Sequence, residues 1–149
     1  MRLSPRLRFA VYGAFLALFV TGAGWLVADQ FKAGSDGEMW QQIAANLLML
    51  HGGAAMVMLM LLGALVPLHV QRSWRSGKNR FTGTAMVALN TLLVATSFGL
   101  YYVGSDMLRP WISNVHLGIG LCLPILVLAH IVVGRRTEAR TASAPVARD

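Results

Sequence analysis

Charge is scarce in this sequence, and cysteine is scarcer. Asp, Glu, Lys and Arg make up only 13% of the 149 residues, while 56% are apolar. That balance lies outside the range of ordinary water-soluble domains. Cys122 is the sole cysteine. One cysteine excludes an intramolecular disulfide and a zinc–thiolate cluster, and no C-x-x-C-H motif is present for covalent attachment of a cofactor. Acidic residues are missing from every long apolar run, which argues against a small proton-coupled exporter with a carboxylate in its membrane path. Internal repeats and low-complexity segments are also absent. The formal net charge of +7 would raise nucleic-acid binding for a soluble chain. Here the basic residues flank apolar spans, so they read as membrane topology, with no nucleic acid as partner.

Four apolar runs are long enough to cross a bilayer as helices. They cover about Phe9–Val27, Ile43–Val70, Thr84–Val103 and Trp111–Gly134. The first has a basic start like a signal peptide. Its apolar run is longer than a signal core, and no small-x-small cleavage site follows before Asp29, so it counts as a helix. The expected fold is therefore all-α, an integral membrane four-helix bundle over residues 1–136. Residues 137–149 read as a disordered cytoplasmic tail, being short, polar and rich in Ala, Ser and Pro.

Basic residues set the expected orientation. Arg2, Arg6 and Arg8 precede the first span; Arg72, Arg75, Lys78 and Arg80 separate the second and third; Arg135, Arg136, Arg140 and Arg148 follow the fourth. These are eleven of the thirteen basic residues. By the positive-inside rule both termini are cytoplasmic, in a bacterial inner membrane. Trp25, Trp40, Tyr101, Tyr102 and Trp111 then form an outer aromatic belt, and Trp74 marks the inner interface.

All four histidines fall in the second and fourth spans. An ionisable residue within a span is costly and points to function. His51 and His69 are 18 residues apart, five whole turns of a straight helix and ~27 Å of rise. His116 and His130 are 14 apart, ~40° short of four turns and ~21 Å of rise. Each helix thus carries two histidines on one stripe. The second and fourth spans both run inward, so depth pairs His51 with His116 near the outer surface and His69 with His130 near the inner one. A tilt or a kink at Pro67 absorbs the ~6 Å by which the first spacing exceeds the second.

Each pair offers two ligands. A bare zinc site takes three or four protein ligands, and the spans hold no carboxylate to supply more. Haem iron needs only axial ligands from protein, and two facing imidazoles on neighbouring helices meet that need. Any haem here is held non-covalently, as haem b, two per chain, between the second and fourth helices. Bis-imidazole iron has no open position, which favours electron transfer over oxygen binding.

Paired histidines on the second and fourth helices, with glycines on the first and third, resemble the four-helix haem core of the b-type cytochromes. That family includes cytochrome b of the quinol–cytochrome c oxidoreductases and small bacterial di-haem cytochromes that anchor redox enzymes. The resemblance covers about Phe9–Gly134 and rests on architecture and a few residues. It implies that Gly13 and Gly22 or Gly24 on the first helix, with Gly83 and Gly99 on the third, let a porphyrin approach the backbone. Ordinary small-residue helix packing explains the same glycines. The 18-residue spacing is longer than the family more often shows.

Other polar residues are candidates to support such a site. Asn90, Thr91, Thr96 and Ser97 in the third span, and Ser113 and Asn114 before His116, are placed to hydrogen-bond imidazole Nδ1–H groups or to bond between helices. Arg72, Arg75 and Arg80 on the inner side, and Arg109 on the outer side, could pair with haem propionates. Met49, Met56, Met58 and Met60 crowd the second span, more as an apolar face than as ligands. The outer loop Ala28–Gln42, with Asp29, Asp36 and Glu38, could dock a basic partner, line a quinone pocket or simply connect helices.

The combined expectation is transmembrane electron transfer by a membrane subunit with a redox partner protein and a link to quinone. The rival readings are a free-standing oxidoreductase of superoxide or ferric type, a four-helix transporter, and a haem-free scaffold.

Overall fold

The computed structural model describes residues 4–77 and 80–142. Its elements are α1 (Pro5–Gln30), α2 (Gly37–Leu65), a π-helical segment (Val66–Val70), α3 (Gln71–Ser76), α4 (Arg80–Tyr102) and α5 (Leu108–Ala142). No strand occurs among the described residues. Four stretches are long and apolar enough to span a membrane: Pro5–Gln30, Gly37–Ser76, Arg80–Tyr102 and Leu108–Thr137. The chain is a multi-pass membrane protein whose environment is a lipid bilayer.

The helices begin and end where local chemistry dictates. Ser4 caps α1, its Oγ accepting from the Leu7 N–H at 3.4 Å, and Pro5 takes the first helical position, where a missing N–H costs nothing. Gly77 ends α3 at φ 70°, a left-handed conformation that favours glycine. Its N–H returns to the Trp74 carbonyl at 3.3 Å. Ser105 caps α5, with Oγ accepting from Leu108 N–H at 3.3 Å and its carbonyl from Arg109 N–H at 3.0 Å.

The α1–α2 connection is tighter than the apolar runs imply. Helix continues to Gln30 and restarts at Gly37, so the loop is Phe31–Asp36, not Ala28–Gln42. Phe31 stacks on Trp40 with centroids 4.9 Å apart. Lys32 bonds Asp29 at 2.6 Å and lies 5.6 Å over the Trp25 ring. Gly37 sits where a Cβ would come within 2.5 Å of the Lys32 carbonyl oxygen.

Two compact units divide the chain, Met1–Gln71 and Arg72–Asp149. Each is a helical hairpin: α1 packs on α2 in the first, α4 on α5 in the second. In the first, the buried residues of α1 are Val11, Ala14, Thr21 and Ala28, and those of α2 are Ala44 and Met58. Ala14, Thr21 and Ala28 recur every seven residues, the period of a left-handed helix seam. Small residues there let the backbones approach closely, which drives association in lipid. The outward faces stay apolar. Met49, Met56 and Met60 are 71%, 70% and 69% exposed, whereas Met58 on the seam is 4% exposed. The methionine-rich α2 therefore presents an apolar face, as its composition implied.

Two further expectations need correction. The first concerns the second span. Pro67 has no N–H to offer the ladder and crowds the preceding turn. The backbone responds with a π turn, in which the Gln71 N–H reaches the Val66 carbonyl five residues back. One extra residue is wound in, so residues beyond the turn rotate back by up to about 100° relative to a straight helix. His69 lies inside this turn, so the straight-helix placement of His51 and His69 on one face does not hold. The second concerns the tail. α5 continues to Ala142, into the 137–149 segment expected to be disordered. Arg135–Ala142 is rich in good helix formers, and extending an existing helix requires no new nucleus. Thr137 Oγ1 bonds the Val133 carbonyl at 3.0 Å within this extension. The remainder, 143–149, lies outside the described residues.

Replacing Gly37 with alanine drives a methyl group into the Lys32 carbonyl and is expected to cost about 1–3 kcal/mol. Gly63, where an added Cβ meets nothing within 4 Å, should instead gain up to about 1 kcal/mol on the same change. Denaturation midpoints of the two variants in one detergent check this contrast.

Candidate functional site

In a hydrocarbon layer a side-chain hydroxyl must spend its proton within the protein. Thr21 does so against its own helix. Its Oγ1 donates to the Ala17 carbonyl at 2.6 Å and lies 3.2 Å from the Leu18 carbonyl. The same oxygen is 3.0 Å from Nδ1 of His51 on α2. Thr21 is buried and His51 half-buried. Gly22, next along α1, leaves room for the ring: a Cβ there would come within 3.2 Å of His51 Cε1 and 3.4 Å of Nδ1.

This contact belongs to the seam. Seven residues back from Thr21 and seven forward from His51 stand Ala14 and Met58; seven the other way stand Ala28 and Ala44, all four buried. His51 is therefore the central layer of the α1–α2 packing.

The second hairpin uses the arrangement twice. Thr96 on α4 has Oγ1 2.8 Å from the Leu92 carbonyl, 3.1 Å from the Leu93 carbonyl and 2.8 Å from His116 Nδ1 on α5. Thr82 Oγ1 is 3.1 Å from His130 Nδ1. The two layers are two heptads apart on each helix, and buried Leu123 falls midway on α5. A heptad seam closes in whole turns at 3.5 residues per turn. The ~40° offset expected for His116 and His130 on a straight helix is thus taken up by the seam. Both imidazoles reach the same neighbouring helix.

The other candidates are placed differently. Asn90, Thr91 and Ser97 bond carbonyls of their own helix, to Met86 at 2.8 Å, Val87 at 2.9 Å and Val94 at 2.8 Å. Of Asn90, Thr91, Thr96 and Ser97, Thr96 is the one whose hydroxyl meets an imidazole. Gly24 and Gly99 serve helix packing: a Cβ on Gly24 would meet Leu47 at 3.3 Å, and one on Gly99 would meet Ile112 at 3.1 Å. Gly13 and Gly83 open onto space, with nothing within 4 Å of an added Cβ. Arg72, Arg109 and Asn114 are exposed. Arg80 Nη2 donates to the Trp74 carbonyl at 3.1 Å, closing the turn between α3 and α4.

Thr21 and Thr82 escaped the sequence reading. Threonine within a span bonds its own helix as a rule, so neither stood out. The signal available was Thr-Gly, at Thr21–Gly22 and Thr82–Gly83, on a helix without histidine.

Among the described residues no group of three or more His, Cys, Asp or Glu converges. The donor set is therefore isolated imidazoles, each with one ring nitrogen engaged by a threonine at three of the four positions. Compared with known proteins, the chain matches no protein-family model, no curated protein and no solved structure.

Gly22→Ala is expected to push the His51 ring by a few tenths of an ångström and weaken its bond to Thr21. Nitrogen NMR of the labelled imidazole reads that change; Gly13→Ala, on the same helix in open space, should leave the His51 signals in place.

Proposed function

We propose that this chain is a di-haem b-type membrane cytochrome, an electron-transfer subunit that links a redox partner to the quinone pool. The observation that carries the reading is the repeated Thr–imidazole layer. Three of the four histidines sit on or beside packed helix seams with Nδ1 engaged and the ring held. Metal-ligating histidines are held in this way by a hydrogen bond at their other nitrogen.

The residues suit haem better than a bare ion. An ion needs three or four protein ligands, and no such group occurs among the described residues. A porphyrin brings four ligands of its own, so single imidazoles suffice. His51 and His116 are assigned to one iron, His69 and His130 to the other. This pairing rests on their depth along inward-running spans, with both chain ends cytoplasmic in a bacterial plasma membrane as the basic residues favour. Gly13 and Gly83 offer open backbone for a flat macrocycle. Bound haem would supply reversible one-electron chemistry without an open coordination site. The chain's own task is to hold each iron between fixed imidazoles, to exclude water with apolar helices, and to place one site towards each membrane face. Arg72 and Arg109, both exposed, are the cations available to propionates.

The reduced-minus-oxidised visible spectrum of the purified chain, with a pyridine haemochrome assay, should show a b-type protein with two haems. His51→Ala and His116→Ala should each remove the same haem, and His69→Ala and His130→Ala the other. A colourless protein made with ample haem would overturn the reading; loss of one shared haem by His51→Ala and His130→Ala would overturn the pairing. Turnover by the chain alone would favour a free-standing oxidoreductase over a subunit.

A further inference from the structure

We infer that Thr21 and Thr96 are positioning residues that determine which ring nitrogen of His51 and His116 carries the proton. A threonine hydroxyl has one proton to give. Thr21 commits it to the Ala17 carbonyl at 2.6 Å, and Thr96 to the Leu92 carbonyl at 2.8 Å. A carbonyl oxygen can only accept, so the direction of these bonds is settled by their chemistry. Each hydroxyl oxygen then meets an imidazole Nδ1, at 3.0 Å for His51 and 2.8 Å for His116, with only lone pairs left to present. The imidazole must be the donor, and Nδ1 carries hydrogen.

Within an apolar span the neutral ring is favoured over the cation. A neutral imidazole protonated at Nδ1 has its lone pair on Nε2. The helix backbone thus selects the tautomer through a relay from carbonyl to hydroxyl to ring, and the His51 ring also donates to the Leu18 carbonyl of the same helix as Thr21. The lone pair lies on the nitrogen opposite the α1 or α4 contact.

The relay has a directional consequence, which rests on the haem reading above. A hydrogen bond donated from Nδ1–H makes the ring a stronger electron donor at Nε2. A more basic axial ligand favours the oxidised iron and lowers its potential. His51 and His116, the ligands assigned to one haem, both carry the complete relay. Each of these imidazoles would be a strengthened ligand, tied down by the helix packed against its own within the same hairpin.

The experiment uses the full-length chain, purified and placed in lipid nanodiscs, as wild type and as Thr21→Val, Thr21→Ser, Thr96→Val and Thr96→Ser. Valine keeps the shape and removes the acceptor; serine keeps the hydroxyl. Nitrogen NMR of the haem-free wild type should show His51 and His116 protonated at Nδ1. Protonation at Nε2 in the wild type overturns the inference without any variant having to fold. With haem bound, each valine variant should raise the midpoint potential of the same haem and weaken its retention about 10–100-fold. Each serine variant should restore both. Valine variants that match the wild type in tautomer, potential and retention overturn the relay while leaving the cytochrome reading intact. A wild type that takes up no haem but shows Nδ1–H at both rings overturns the cytochrome reading and leaves the relay standing.

Discussion

A polar group inside a bilayer has no water to fall back on, and most of this structure follows from that. The backbone answers by closing its own hydrogen bonds in four long helices. The hydroxyls of Thr91, Thr96 and Ser97 answer by bonding carbonyls of the preceding turn. Imidazoles cannot do the same alone, because a neutral ring has one donor and one acceptor on opposite edges. Three of them reach across to a threonine whose proton is already committed or whose oxygen lies at the ring. Pro67 poses the same problem in the backbone, and the π turn around His69 resolves it by moving each bond one residue along.

Packing supplies the order that hydrogen bonding alone would not. Lipid offers no hydrophobic drive for helices to associate, so close approach by small residues must do it. Ala14 and Ala28 on α1, with Ala44 on α2, provide that approach on either side of the Thr21–His51 layer. A seven-residue repeat makes the layers stack in register. The second hairpin spaces its two imidazole layers by two such repeats, so one rule of packing sets the distance between His116 and His130. The same rule leaves apolar and aromatic side chains outside the seams exposed, including Tyr101 at 86% and Trp111 at 70%.

The electron-transfer proposal draws on both features. Ligands that must not move between oxidation states are best built on rigid elements with their outer nitrogens tied down. Histidine is costly in a span, and four of them in two spans are hard to account for by packing. The absence of carboxylates from the four apolar runs is part of the same logic. It leaves a donor set that suits a macrocycle bringing its own equatorial nitrogens, and it removes the usual path for a proton.

The amino-acid sequence by itself determined the four spans, their all-helical character and the four residues of greatest interest. Those properties depend on apolar run length and residue type, which are local. It also marked Pro67 as the weak point of the second span. The tertiary structure decided how the histidines are held. Whether Thr21, Thr82 or Thr96 spends its oxygen on its own helix alone or also on a ring depends on which residue stands opposite, and antiparallel packing sets that through a register no single helix contains. The roles of the glycines divided in the same way: Gly24 and Gly99 meet side chains of a partner helix while Gly13 and Gly83 do not. The face of His69, too, depended on where the backbone placed its extra residue, because a proline dictates that a hydrogen bond is lost but not how the chain makes good the loss.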